Sequence, residues 1–253
     1  MTAMGYLVRT LTALLALVAA AMPQTADVAQ IERRGDLAVL SVNTFRPLDA
    51  IASRLGSQFG LMVSAEDPLF QFRGDMTDIS LEVPHVRPGT LVPARWGFEV
   101  RFPVNADGSP KNPHDLLASI VAAANLRSPF AYRLDEAGGA FFFVPTRTRD
   151  AQGRSIAIAP LLDRLVTIPP GVRRINESAA LMAADLSRQT ALRVSCCQSA
   201  IAGYPWGMGE VMFAANQEPA RSILRRLGLN HWHVRCDESF CFIDMRQPAP
   251  GSQ

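Results

Sequence analysis

Residues 186–195 read LSRQTALRVS, and residues 55–64 read LGSQFGLMVS. Leu, Gln, Leu, Val and Ser occupy the same places in both, 131 residues apart. In each stretch the first half reads as the end of an amphipathic helix. The second half reads as the start of a strand.

Working outward from 55–64, apolar residues Leu48, Ile51, Ala52 and Leu55 fall at i, i+3, i+4 and i+7, which predicts a helix over 47–59. Strands are expected at 37–42, 61–64 and 98–104. In the last of these, Phe98, Val100 and Phe102 alternate with Glu99 and Arg101. A second helix over 113–125 carries Leu116, Leu117, Ile120, Val121 and Ala124, with Asn112 as N-cap and Pro113 at its first position. A hairpin, 130–134 with 140–144, closes the unit.

The same order returns around 186–195. A strand at 165–168 runs into Pro169-Pro170-Gly171. A helix over 177–189 follows, its apolar face assigned to Ala180, Leu181, Ala184 and Leu186. Then come a strand at 192–196, a Gly-rich connection, a strand at 211–215, a helix at 219–227, and a hairpin of 232–236 with 241–244. PARSILRRL at 219–227 aligns with PHDLLASIV at 113–121, an offset of 106. The drop from 131 to 106 reflects 25 extra residues between the second and third strands of the first copy. Insertions of that kind are tolerated on surface loops. The expected fold class is therefore α+β: two tandem small modules, each with two helices packed between small mixed β-sheets. The modules span 37–145, with an insertion at 66–97, and 161–245. The polar stretch 146–160 reads as a linker and 246–253 as a disordered tail.

At the N-terminus Arg9 precedes an apolar run, Leu11 to Met22, that ends near Ala19-Ala20-Ala21. A run of a dozen residues is too short to span a bilayer but fits a signal peptide cleaved after Ala21, with Ala26 or Ala29 as other sites. No cysteine lies near it, which argues against a lipoprotein signal, and no later stretch suits a membrane span. The expected location is the periplasm. With a net charge of +2 and scattered arginines, the chain lacks the basic stripe that nucleic acid requires.

All four cysteines, Cys196, Cys197, Cys236 and Cys241, lie in the second half. In an oxidising compartment an even count reads first as a disulfide framework. Cys236 and Cys241 flank a four-residue hairpin loop, which brings their backbones close. The competing pairing ties Cys196 or Cys197 to that hairpin. A zinc site is the third option, though the spacing is not that of C-x-x-C knuckles.

The module resembles the STN domain, the short N-terminal domain of secretins and TonB-dependent receptors. LSRQTALRVS and LGSQFGLMVS carry its leucine–Gln–(Thr)–Gly–leu–x–val signature. PARSILRRLGLNHWHVRCDESFCFID and PHDLLASIVAAANLRSPFAYRLDEAGGAFFFV carry its second helix and hairpin. Two departures stand out: Ala191 where the signature has Gly, and the insertion in the first copy. No secretin pore or receptor barrel accompanies the copies in this sequence. The resemblance implies a periplasmic docking module rather than an enzyme, although fold alone does not assign function.

The residues point the same way. No G-x-S-x-G, H-E-x-x-H or P-loop is present. His231 and His233 form an H-x-H on a strand, a weak metal candidate whose plain reading is two strand histidines. No cofactor is expected. Better functional signals are large apolar side chains in Gly/Pro-rich loops: Tyr204 and Trp206 in the second copy, Phe70 and Phe72 in the insertion. They read either as anchors for an envelope protein partner or as lids folded onto the core. The expectation is a non-enzymatic interaction protein, an accessory to a secretin or TonB-linked system being one such role. The alternative is a small-ligand or cell-wall-fragment binder, or a hydrolase, using the cleft between modules.

Overall fold

The computed structural model describes residues 28–80, 85–196, 210–229, 232–237 and 239–245. The fold is α+β. Its first half runs β1 (Gln30–Arg34), β2 (Leu37–Thr44), α1 (Pro47–Phe59), β3 (Val63–Ala65), β4 (Met76–Asp78), β5 (Leu91–Pro93), β6 (Trp96–Pro103), α2 (Pro113–Arg127), β7 (Ala131–Ala137) and β8 (Ala140–Arg149). After β9 (Ser155–Ala157) the second half runs β10 (Leu165–Arg174), α3 (Ile175–Thr190), β11 (Arg193–Cys196), β12 (Glu210–Pro219), α4 (Ala220–Arg226), β13 (Trp232–Cys236) and β14 (Phe240–Met245).

Each half carries one pairing scheme. The strand before the first helix pairs antiparallel with the strand before the second, β2 with β6 and β10 with β12. The strand after the first helix lies parallel to the last strand, β3 with β8 and β11 with β14. The closing hairpins are β7–β8 and β13–β14. One difference matters: β1 adds a third strand to the outer edge of β2, giving the order β1-β2-β6, whereas β10-β12 stays two-stranded.

Local chemistry explains the elements. In α1, Pro47 opens the helix and Leu48, Ile51, Ala52 and Leu55 are buried. Gly60 ends it at φ 67, its N–H bonded to the Gly56 carbonyl while Leu61 N–H reaches Leu55. The Asn112 side chain caps α2 by accepting from the His114 and Asp115 N–H groups at 3.1 and 3.3 Å. In α3 the buried face is Ser178, Ala179, Met182, Ala183 and Leu186, not the face expected from Ala180, Leu181 and Ala184. Residues 179, 182, 183 and 186 are the 131-residue counterparts of 48, 51, 52 and 55, so the repeat marks the core face better than local hydrophobicity does. Leu181 faces solvent as a result.

The polar segment 146–160 is not a free linker. β8 continues through Arg149, Asp150 and Gly153 form a turn, and β9 pairs back onto residues 147–149. Thr148 is fully buried and donates to the Leu69 carbonyl, and Arg149 forms an ion pair with Asp75. Every second side chain there has a polar partner, so the strand needs little hydrophobicity. Phe70 of the insertion joins the core, with Leu69, Met76 and Trp96 packed against it, and one continuous core of buried side chains joins both halves. No helix among the described residues is long and apolar enough to cross a membrane.

Candidate functional site

The junction between the halves is built from side chains that no local motif announces. Glu66 and Asp67 follow directly on β3, and both reach into the second half. Glu66 forms a bridge with Val234 of β13, and Asp67 N–H donates to the Val234 carbonyl at 2.8 Å. The Glu66 carboxylate meets the Arg221 guanidinium of α4 and accepts from Trp232 Nε1 at 3.3 Å. Arg221 also holds Asp163 at 3.0 Å, and Arg133 of β7 holds the other oxygen of Asp163 at 2.9 Å. Burial opposes the Asp163 charge, yet Arg133 and Arg221 together keep its pKa below the usual carboxylate value. Trp232 is fully buried and stacks on Phe142 at 4.7 Å.

A second cluster sits at the start of α1. Arg46 Nε meets Asp67 Oδ2 at 2.6 Å, and its Nη2 donates to the Cys236 carbonyl at 2.8 Å. The Cys236 N–H donates to the same Asp67 oxygen at 3.0 Å. Burial raises the Asp67 carboxyl above its ordinary pKa even with Arg46 beside it. Next to it, Asp49 Oδ1 lies 2.5 Å from His233 Nδ1, and Asp49 Oδ2 accepts from Arg235 at 3.1 and 2.8 Å. His233 is 1% exposed. The imidazole is enclosed at the junction against Asp49. Its expected partner His231 lies outside the described residues, and among those no cluster of three or more His, Cys, Asp or Glu forms a metal cage.

Above this cluster opens a groove of about 550 Å³, lined by Thr44, Phe45, Arg46, Asp49, Arg54 and Arg235. It straddles the two halves, since Arg235 comes from β13 and the others named from β2, α1 and the residues between them, with Val28 ahead of β1 also in the lining.

Cys236 and Cys241 are disulfide-bonded across directly paired positions of the β13–β14 hairpin, 4.1 Å apart at Cα. Cys196 is disulfide-bonded as well, and Cys197 lies outside the described residues. Phe70 is not an exposed anchor. It is 8% exposed and packs edge-on against Phe130 at 5.4 Å. Phe72 is half-buried beneath the Arg149 guanidinium, 4.8 Å from its ring. Both belong to the packing of the insertion, because the chain returns to the sheet through Thr148 and Arg149. Tyr204 and Trp206 lie outside the described residues.

Exposed apolar surface collects elsewhere. Of the eight exposed large apolar side chains among the described residues, Leu165, Val172, Leu181, Val211 and Met212 lie on β10, β12 and α3. Val172 and Met212, 59% and 72% exposed, are direct cross-strand partners. On the outer edge of β10 the Thr167 N–H donates to Asp185 at 3.0 Å, and the Leu165 carbonyl accepts from Gln189 at 2.7 Å. Those two α3 side chains stand where β1 stands on β2. No family model matches the chain, and no curated protein matches it.

Proposed function

We propose that this chain is an exported, non-enzymatic interaction protein of the bacterial envelope, built from two STN-like copies and accessory to a secretin or TonB-linked assembly. Its surface for a protein partner is the β10–β12 ribbon. The observation that carries this reading is the cross-strand pair Val172 and Met212, 59% and 72% exposed side by side on that ribbon. The buried charge network at the junction supports it, because it holds the ribbon in a fixed orientation on the first half. The edge caps from Asp185 and Gln189, with Pro169 and Pro170, discourage indiscriminate strand pairing, so recognition falls to the side-chain face. The test is affinity capture from an envelope fraction with the natural chain and with a Val172→Asp, Met212→Asp double variant. The natural chain is expected to retain a defined partner that the double variant loses while keeping its thermal midpoint. Equal capture by both would overturn the reading, as would empty capture alongside turnover of a substrate.

A further inference from the structure

The groove at the junction carries a charge that no described residue pairs with. Arg46 is engaged by Asp67 and the Cys236 carbonyl, and Arg235 by Asp49. Arg54 lines the same groove, and also the neighbouring hollow along β1. Its Nε is shielded from solvent and has no hydrogen-bond partner among the described residues, nor does any described carboxylate pair with it. A guanidinium nitrogen withdrawn from water without an acceptor is unfavourable; the Arg54 side chain lines the groove, where an entering anion would meet its unanswered charge.

The internal repeat shows that this arginine is not a requirement of the fold. Its counterpart 131 residues later is Asp185. Asp185 is occupied: one oxygen accepts the Thr167 N–H of the β10 edge, the other takes Arg188 at 2.8 Å. In the first half β1 already closes the β2 edge, so position 54 has no edge to cap. It holds a partly buried cation in the groove wall instead.

We propose that the groove binds a carboxylate, gripped by the Arg54 guanidinium, with the organic part of the ligand against Phe45 and Val28. A planar two-oxygen anion matches the fork of an arginine. One unpaired cation, with Asp49 in the same wall, suits a monoanion better than a phosphate dianion. The site stands independently of the ribbon and its partner.

The chemistry is shared by a free organic acid and by the C-terminus of a peptide, so calorimetric titration of the whole exported chain uses both. The probes are 3-phenylpropionate, acetyl-Ala-Phe with a free C-terminus, its C-terminal amide, and inorganic phosphate. Saturable binding of either carboxylate, with none of the amide, supports the site, and the tighter of the two identifies the source. Arg54→Gln is expected to weaken that binding about tenfold or more, and Arg54→Lys less, since lysine keeps the charge but not the fork. If Arg54→Gln does not fold, the Arg54→Lys loss and the amide comparison remain decisive. No saturable binding of either acid would overturn the proposal. Binding left unchanged in Arg54→Gln, equal binding of the amide, or tighter binding of phosphate would do the same.

Discussion

Glu66 and Arg221 stand 155 residues apart in the chain and form a buried ion pair, their side chains 1% and 7% exposed. Glu66 immediately follows a strand of the first half, and Arg221 lies in the first turn of the last helix. Together with Trp232 and Asp163 they hold the halves in one arrangement. Coulomb attraction in a dry site is offset largely by desolvation, so the intact pair adds little net stability.

Removing one member is a different matter, because the other is then left charged and buried. Arg221→Ala is expected to lose about 3–5 kcal/mol of unfolding free energy. A Glu66→Leu, Arg221→Met double variant, which replaces both charges with apolar volume, should recover most of it. Urea unfolding of the three chains checks this. A double variant as unstable as Arg221→Ala would mean that the pair contributes by attraction rather than by mutual neutralisation.

Tyr132 ties stability to alkaline pH. Burial, and then the Asp67 carboxylate, hold its phenol well above the ordinary value of 10.0. A group whose pKa is raised by folding contributes stability that is complete below the unfolded pKa and is lost as pH rises through it towards the folded value. Unfolding free energy should therefore fall above pH 10 by up to about 1.4 kcal/mol per pH unit from this residue. Urea midpoints measured across that range should fall less steeply for Tyr132→Phe. Parallel slopes would remove the assignment.

Ala191 ends α3 at φ 57, a left-handed conformation that the first half gives to Gly60. A Cβ in that region costs about 1–2 kcal/mol, partly offset in the unfolded chain, where glycine is freer. Ala191→Gly should stabilise by about 0.5–1 kcal/mol, visible as a higher melting temperature. A lower melting temperature would show that the Ala191 methyl contributes packing that outweighs the strain.

The Cys236–Cys241 bond closes a separation of only 5 residues, which on chain entropy contributes about 2 kcal/mol. Its position gives it a second consequence, because the Cys236 N–H and carbonyl bind Asp67 and Arg46. A Cys236→Ala, Cys241→Ala variant should lose that stability and also show faster amide exchange at residue 236 and at Asp67. Exchange confined to the hairpin would separate the disulfide from the junction. Non-reducing peptide mapping should recover the native pair.

The repeat was readable because packing leaves a period. Leu48, Ile51, Ala52 and Leu55 were legible from their spacing, whereas in the second half local hydrophobicity pointed to Ala180, Leu181 and Ala184. There the structure buries Ala179, Met182 and Ala183, the 131-residue counterparts of the first set, with Leu186. Asn112, Pro113 and the short Cys236–Cys241 loop were legible for the same kind of reason, since each acts on neighbours within a few residues. What the amino-acid order alone determined is thus the pair of α+β units and their local caps. The contacts that join them, Glu66 with Arg221, Asp67 with Arg46 and Asp49 with His233, involve charged residues with no period, and only the tertiary structure decided them. A charge looks the same in sequence whether water or another chain segment surrounds it, and its role is set by the partner that folding brings within 3 Å or so. Arg54 is the clearest instance: it sits in an ordinary amphipathic helix, and only the fold shows that nothing described here answers its charge.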